Sequence, residues 1–405
     1  MQVILAILLL LWLSSAAYYI ISAWCLRSFY KSRGANFVCH SERSEESTVK
    51  IIQADSSAAP QNDTPAYPPI TVLKPIRGAD DALYENLKSF VEQDYPRFQV
   101  IFGIAERTDP AYAVAQRLVF EYPEKELLVA ETGPPLSPNR KVSNLAAMYA
   151  FSKYDIILVA DADMRVGRDY LSRVSEGFAG PEVGLVTCPY RGCYPGSVGA
   201  AFEALSINAD FLPSVTVAER LEGISFALGA TMAVRREALE RIGSFEALKD
   251  FLADDYQLGN KIYKAGYKLS LSRYVVDSVQ GRESFREYFA HQLRWGRTYR
   301  ACRPVSYFFA GLTKGTAIAA LFLLASGFSP AGWAVFSADL ALRNSLAVRL
   351  ESKYVKAPGA LKYYWLLPLR DLASALTWAL SFTGSGVSWK GESFKINREG
   401  RMVTK

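Results

Sequence analysis

The sequence predicts an α/β domain with a mostly parallel sheet, joined to membrane-spanning helices at both ends. Between residues 68 and 303, short apolar runs alternate with amphipathic stretches, which is the pattern of strands and helices in a sheet covered on both faces. Long apolar runs lie before and after this block, and 50% of the chain's 405 residues are hydrophobic. A soluble block with membrane segments fits this average.

Composition excludes several other classes of protein. The five cysteines have no paired C-x-x-C spacing, and His40 and His291 are the only histidines, which argues against a zinc site or a disulfide framework. The sequence has no G-x-S-x-G motif to accompany a histidine in a serine hydrolase. The formal net charge of +6 is too small and too dispersed to indicate nucleic-acid binding.

The N-terminal segment predicts a membrane anchor over residues 1–27. Residues 1–26 carry no charged side chain, and roughly 20 apolar residues suffice to cross a bilayer. A cleaved signal peptide is the alternative, since S-A-A at 15–17 resembles a cleavage site. However, basic residues follow the apolar run instead of preceding it, at Arg27, Lys31 and Arg33. This charge pattern places the following domain in the cytoplasm.

Residues 28–67 are rich in Ser, Ala, Glu and Pro and predict a flexible linker. The domain at 68–303 then begins. The runs with the composition of buried strands are 70–73, 99–104, 127–129, 156–159 and 183–186. The amphipathic stretches that predict helices between them are 83–92, 111–122, 142–151 and 170–178.

The C-terminal third predicts further membrane segments. Apolar runs at 305–328 and 332–348 indicate a helical hairpin over residues 304–350. A third run at 363–382 contains Pro368, Arg370 and Asp371, which are costly in a simple span, so we expect a re-entrant or interfacial segment. Basic residues flank this run on both sides. We therefore expect residues 351–405 to hold this segment and a basic cytoplasmic tail.

Two carboxylates follow the strand at 156–159. Asp161 and Asp163 form a D-x-D motif where open α/β sheets bind ligands, beyond the carboxyl ends of their strands. Oxygen ligands without Cys or His favour Mg²⁺ or Mn²⁺, which can bridge a diphosphate. An acidic turn after a strand is the alternative interpretation.

Four other motifs carry candidate site residues. Glu106 and Asp109 follow the strand at 99–104 and could accept hydrogen bonds from a nucleobase or ribose, or cap a helix. Lys141 lies at a predicted helix start, where phosphate is attracted, or belongs to a solvated basic loop. Asp255 begins another helix, as a general base or as a favourable charge at the helix dipole. Arg294 lies in an aromatic, basic stretch at 285–300 that would also suit a membrane surface.

The order of these motifs resembles the family-2 type inverting glycosyltransferases with a GT-A fold, over residues 69–300. The ceramide glucosyltransferase branch, which includes bacterial hopanoid-associated glycosyltransferases, is the most similar. Its motifs appear as V-L-K-P at 72–75, T-D-P-A at 108–111, K-V-S-N-L at 141–145, D-A-D-M-R-V at 161–166 and G-A-T-M-A-V-R at 229–235. Two departures are Glu106, in place of the family's Asp, and His291, in place of Gln or Arg.

The resemblance implies a role for each motif. Asp161 and Asp163 would hold the metal, Asp255 would be the catalytic base, and Arg294 and Trp295 would close over the donor and its leaving diphosphate. The residues expected at the nucleotide-sugar donor are Lys74, Glu106, Asp109, Lys141, Asp161 and His291.

The resemblance implies an integral membrane enzyme of the bacterial inner membrane that transfers a hexose or N-acetylhexosamine from a UDP-sugar to a lipid hydroxyl, of the hopanoid or ceramide type. The expected partners are the UDP-sugar, the lipid acceptor and the bilayer, with no nucleic acid. One alternative is a polyprenyl-phosphate glycosyltransferase or a polysaccharide synthase. A second alternative is an inactive membrane protein that binds nucleotide sugars.

Overall fold

The computed structural model of the protein describes residues 1–32, 67–279, 281–389, 392–397 and 399–404. Most of the predicted linker at 28–67 lies outside these residues. The strands of the main block are β1 Ile70–Pro75, β2 Phe98–Ile104, β3 Glu126–Glu131, β4 Ile156–Val159, β5 Met164–Arg165, β6 Val183–Thr187, β7 Tyr190–Cys193, β8 Met232–Arg235, β9 Lys268–Leu271 and β10 Val276–Val279. The first ten helices are α1 Gln2–Lys31, α2 Leu83–Val91, α3 Pro110–Glu121, α4 Arg140–Tyr149, α5 Tyr170–Ser175, α6 Val198–Ser206, α7 Leu212–Glu222, α8 Arg236–Arg241, α9 Asp254–Lys264 and α10 Phe285–Cys302.

The predicted α/β fold with a mostly parallel sheet is confirmed. Seven strands form one sheet in the order β3-β2-β1-β4-β8-β6-β9, and β8 alone runs antiparallel to its neighbours there. All five predicted strands belong to this sheet, with boundaries that shift by three residues at most. A smaller sheet, β5-β10-β7, packs beside the end of β4. The carboxyl ends of β1, β2 and β4 therefore meet at one edge.

Helix α4 lies close against β2 because Gly103 has no side chain. A Cβ atom at that position would approach Asn144 Oδ1 and the Met148 sulfur to 2.2 Å. Asn144 Nδ2 instead donates to the Gly103 carbonyl at 2.9 Å. At the start of α4, the buried Asn139 caps the helix and donates to the Phe251 carbonyl at 2.7 Å. These bonds join the start of α4 to the loop before α9.

Helices α6 and α7 form one longer helix with a π-helical turn, Ile207–Phe211, between them. Such turns widen a helix locally and are frequent at functional sites. Here the turn carries Asp210 and Phe211, which both line a large central cavity of 1810 Å³. The turn therefore places the side chains of Asp210 and Phe211 on the wall of this cavity.

The helices after α10 are α11 Pro304–Phe309, α12 Gly315–Ala325, α13 Pro330–Leu350 and α14 Leu367–Ser381. Among the described residues, α1 alone is a single helix long and apolar enough to cross a membrane. The helical segments 304–313 and 315–325 are together long and apolar enough to cross a membrane, but their axes differ by 58° at the break between them. The first helix of the predicted hairpin is thus interrupted between α11 and α12. The assignment of residues 304–350 as a transmembrane hairpin stays a prediction.

The predicted basic C-terminal tail forms a three-stranded antiparallel sheet of β11 Gly386–Trp389, β12 Glu392–Ile396 and β13 Met402–Thr404. Met402 N donates to the Asp250 carbonyl at 2.6 Å. The sheet buries one apolar face against the α/β block, in a cluster of Leu252, Val387, Phe394, Ile396 and Met402. Apolar residues at alternate positions of β12 explain this packing.

Candidate active site

A cavity of 1810 Å³ opens at the carboxyl ends of β1, β2 and β4. Residues from α4, α9 and α10 complete its walls. Nearly all of the predicted site residues line it, and these are Glu106, Asp109, Lys141, Asp161, Asp163, Asp255, His291, Arg294 and Trp295. The fold therefore brings together motifs that are as much as 189 positions apart in the sequence, as expected for the edge of an α/β sheet.

Lys74 is the exception, since it lies beneath the cavity and not on its wall. Its side chain is fully buried, with Nζ donating to the Asp161 carbonyl at 2.5 Å and lying 3.8 Å from the centre of the Phe90 ring. Burial lowers the pKa of Lys74 to about 7, although Asp161 and Asp163 oppose this shift. Lys74 thus supports the D-x-D turn from below, and a direct contact with the donor stays a prediction that this geometry does not favour.

The D-x-D turn holds two carboxylates in different environments. Asp161 Oδ1 lies 2.7 Å from Lys141 Nζ. Asp163 accepts a weak hydrogen bond from Ser278 Oγ at 3.5 Å, and its carbonyl accepts from Val279 N at 2.8 Å. Burial, followed by the charge of Asp161, raises the pKa of Asp163 to about 6. Negative charge therefore accumulates at this turn, which favours a nearby cation.

Lys141 lies between two carboxylates. Its ammonium group is 3.1 Å from Asp254 Oδ2 as well as 2.7 Å from Asp161 Oδ1. Burial opposes its charged form, but Asp161 and Asp254 outweigh this effect and hold the pKa of Lys141 well above its usual value. The capping of α4 by Asn139, with its bond to Phe251, places Lys141 beside Asp254. Lys141 thus makes a pair of ionic contacts, and its contact with a nucleotide phosphate stays a prediction.

Asp255 is held by two backbone amides. Gly229 N donates to Oδ2 at 3.1 Å and Tyr256 N donates to Oδ1 at 2.7 Å. A Cβ atom at Gly229 would lie 2.7 Å from Asp161 Oδ2 and 3.5 Å from Asp255 Oδ2, so both carboxylates flank the same point. Burial, followed by the charge of Asp254, raises the pKa of Asp255 to about 6. Asp255 can therefore accept a proton near neutral pH.

Helix α10 presents one face to the cavity. His291 Nδ1 lies 3.4 Å from Glu203 Oε1, and Gln292 Nε2 donates to Glu203 Oε2 at 2.8 Å. The His291 ring meets the Trp295 ring edge-on, with 4.6 Å between their centres. Burial lowers the pKa of Arg294, while the charges of Glu203, Asp255 and Asp161 oppose that shift. The α10 face therefore offers a guanidinium and an aromatic ring to a bound anion.

Glu106 and Asp109 line the cavity just beyond the carboxyl end of β2. Glu106 is exposed and accepts a hydrogen bond from Thr108 Oγ1 at 3.2 Å, which leaves its carboxylate accessible. Asp109 instead caps α3 by accepting from Ala111 N at 2.9 Å, and both of its oxygens accept from Gly78 N at 3.0 Å. The geometry of Asp109 matches the capping alternative, and its donor contact stays a prediction.

Sequence reasoning missed Glu203 and the role of Gly229. Glu203 is 2% exposed and lies on α6 among apolar residues, at a position where an ionised side chain needs partners. A single carboxylate within an otherwise apolar helix is the sequence signal that could have identified Glu203. Gly229 belongs to a motif that the sequence does show, but its closeness to Asp161 follows only from the three-dimensional path of the chain.

Comparisons with known proteins agree on one family. The sequence profile of glycosyl transferase family 21 matches residues 7–402. Ceramide glucosyltransferase 1 of Caenorhabditis elegans is 24% identical over 354 residues, which cover 84% of this chain and 74% of that protein. Ceramide glucosyltransferase of Komagataella phaffii is 37% identical over 108 residues, which cover 26% of this chain and 21% of that protein.

A solved structure shows the same fold. The mannosyltransferase PcManGT from Pyrobaculum calidifontis, determined in complex with GDP-Man and Mn²⁺, has a TM-score of 0.50 and 18% sequence identity, and the match covers 93% of this chain and 98% of that one. At this identity the likeness supports the fold alone. It agrees with the GT-A fold that the motif order implied.

Proposed function

Because the chain belongs to glycosyl transferase family 21 and is a glycosyltransferase, we propose that it moves a hexose or N-acetylhexosamine from a UDP-sugar to a lipid hydroxyl of the ceramide or hopanoid type. One observation carries the proposal, namely that Asp161 and Asp255 flank the same point beside Gly229. A nucleotide diphosphate at the first carboxylate and an acceptor hydroxyl at the second would meet there.

The donor set suits a hard divalent cation. Asp161 and Asp163 supply carboxylate oxygens, and the described residues contain no group of three or more His, Cys, Asp or Glu side chains that could hold a metal alone. Diphosphate oxygens would therefore complete the coordination, which suits Mg²⁺ or Mn²⁺. When bound, such an ion supplies positive charge that stabilises the leaving diphosphate.

Asp255 would act as the general base. Its two backbone hydrogen bonds fix the carboxylate, and a pKa of about 6 leaves it mainly ionised at neutral pH. It would take the proton from the lipid hydroxyl as that oxygen attacks the anomeric carbon from the face opposite the diphosphate. A single displacement inverts the configuration at that carbon, so no covalent sugar-enzyme intermediate is needed.

Arg294 and Trp295 would act on the leaving group. Arg294 is partly buried, so water would screen the attraction of its guanidinium to the growing charge on the diphosphate less than in bulk solvent. The Trp295 ring, packed against His291 and Phe211, would cover the donor. Lys141 would keep Asp161 oriented through their 2.7 Å contact.

Membrane attachment is supported by α1 and by the bent pair that follows α10. We assign residues 1–27 to an anchor, 68–303 to the catalytic domain and 304–350 to a helical hairpin. The C-terminal sheet, within residues 351–405, packs on Leu252, so both lie on one side of the bilayer. The chain between Arg303 and Gly386 therefore crosses an even number of times or not at all. The basic flank of α1 favours the cytoplasmic side of a bacterial inner membrane.

Transfer of labelled sugar into lipid tests this proposal. Purified enzyme in detergent would receive labelled UDP-Glc or UDP-GlcNAc with either ceramide or a hopanoid polyol. We expect label in one lipid, lost on addition of EDTA and reduced strongly by Asp163→Asn. If neither ceramide nor the hopanoid polyol were labelled while UDP binding stayed intact, a lipid hydroxyl acceptor would be contradicted. That result would favour polyprenyl phosphate or a polysaccharide as the acceptor.

A further inference from the structure

The central cavity extends well beyond the catalytic carboxylates. From Asp161 and Asp255 it continues along α10, where His291, Arg294, Thr298 and Cys302 line it. These four are three or four positions apart and so share one helical face. At a rise of about 1.5 Å per residue they extend the cavity wall by about 16 Å.

The far end of the cavity is built from the apolar N- and C-terminal helices. Tyr18 of α1, Lys314 before α12 and both Ser374 and Trp378 of α14 line it. Lys314 Nζ donates to Ser374 Oγ at 2.7 Å and lies 3.6 Å from Asp210 Oδ2. The far end of the cavity is therefore polar near Lys314, although the membrane-span candidates α1 and 304–325 both contribute to its wall.

Two exposed apolar side chains mark the mouth of this extension. Leu221 at the end of α7 is 75% exposed and Phe309 at the end of α11 is 56% exposed, and both line the cavity. Apolar side chains at an open mouth are costly in water but suit hydrocarbon. The neighbouring Arg220 lies over the Trp24 ring of α1 at 5.4 Å, which ties this end of α7 to the anchor helix.

We propose that the lipid acceptor enters through the mouth between Leu221 and Phe309, hereafter the α7–α11 mouth. Its hydroxyl-bearing head group passes along α10 to Asp255, and its hydrocarbon chains stay among the apolar side chains of α7, α11 and α14. The ligand is thus an amphiphile, with a polar head group for the carboxylate end of the cavity and hydrocarbon for the apolar mouth. This inference rests on the proposed function and adds the acceptor's route to it.

Adjacent phenylalanines of α11 offer a matched pair of variants. Phe308 is 58% exposed and Phe309 is 56% exposed, but only Phe309 lines the cavity. We expect Phe309→Asp to raise the KM for ceramide or hopanoid polyol at least tenfold above that of Phe308→Asp. The Kd for UDP-sugar should be the same in both variants and in the wild type.

A second pair tests the passage itself without placing a charge near the membrane. Ser374 lines the cavity, whereas Ala379 on the same helix is exposed and outside it. Ser374→Trp should raise the KM for the lipid acceptor and Ala379→Trp should not.

Active wild-type enzyme with equal acceptor KM values within both pairs would overturn the route while leaving the proposed function intact. A wild-type enzyme that transfers no sugar to lipid would overturn the proposed function and this route together. A parallel change in donor Kd would also contradict the route, because it would place these residues at the donor.

Discussion

The ammonium nitrogen of Lys141 lies 2.7 Å from a carboxylate oxygen of Asp161. The second contact of Lys141, to Asp254, joins the D-x-D turn to the helix that carries the proposed base. One partly buried cation thus fixes the spacing of the donor side and the acceptor side of the site. This relationship links stability to activity at a single residue.

Replacing Lys141 by Met should therefore reduce both properties. Removing one partner of a fully buried ion pair costs about 3–5 kcal/mol, and the cost should be smaller here because the side chains of Lys141 and Asp161 are 16% and 35% exposed. We expect a clearly lower Tm and a transfer rate reduced by at least about 100-fold, which is about 2.7 kcal/mol in the barrier. Lys153→Met is the control, since Lys153 pairs with Glu126 at the surface and should change neither value appreciably. An unchanged Tm in Lys141→Met would contradict the structural role.

The pH dependence of transfer should report Asp255. Its raised pKa means that the carboxylate stays protonated up to a higher pH than usual, so the basic form is lost as pH falls through about 6. With saturating donor and metal, we expect kcat to be level above pH 7 and to fall tenfold per pH unit well below 6. A profile that stays level down to pH 4.5 would show that another group, or none, removes the proton.

Gly229 should tolerate no side chain. A Cβ atom there would meet Asp161 Oδ2 at 2.7 Å and displace a carboxylate. Gly229→Ala is therefore expected to lower kcat at least tenfold, because small misplacements of reacting groups are costly. Gly386→Ala is the matched control, since a Cβ atom at Gly386 meets nothing within 4 Å. Equal kcat values for the two variants would contradict the tight geometry.

Glu203 should position α10 through its contacts with His291 and Gln292. We expect Glu203→Ala to raise the KM for UDP-sugar about tenfold, equivalent to about 1.4 kcal/mol, because Arg294 and Trp295 lie on the same helix. Glu203→Gln keeps a hydrogen-bond acceptor and should recover part of the loss. If the Ala variant had a wild-type donor KM, α10 would be held by other contacts alone.

Much of the fold could be predicted from the sequence because strands 156–159 and 183–186 are continuous apolar runs of strand length. The antiparallel insertion of β8 could not, since its four residues carry no periodic signal of direction. Within the site, Asp161, Asp163 and Asp255 were identifiable from motif order. The pairing of Lys141 with Asp254 was not, because it depends on the tertiary hydrogen bond from Asn139 to Phe251.

The membrane segments show a similar division. The uncharged run at 1–26 predicts a long apolar helix, and α1 is that helix. The break between α11 and α12 could not be predicted from the sequence, because the residues on both sides of it are apolar and composition shows no boundary there. The C-terminal sheet was missed because its basic residues suggested a tail, whereas alternate apolar residues at 394 and 396 pack on Leu252.

The most direct test of the central claim compares Asp255→Asn with the wild type in sugar transfer and in UDP-sugar binding. The amide preserves the shape of the side chain but cannot accept the proton. We expect a transfer rate lower by about 10²- to 10⁴-fold with the Kd for UDP-sugar unchanged. Equal transfer rates in the two proteins would show that Asp255 is not the base and would contradict the proposed mechanism.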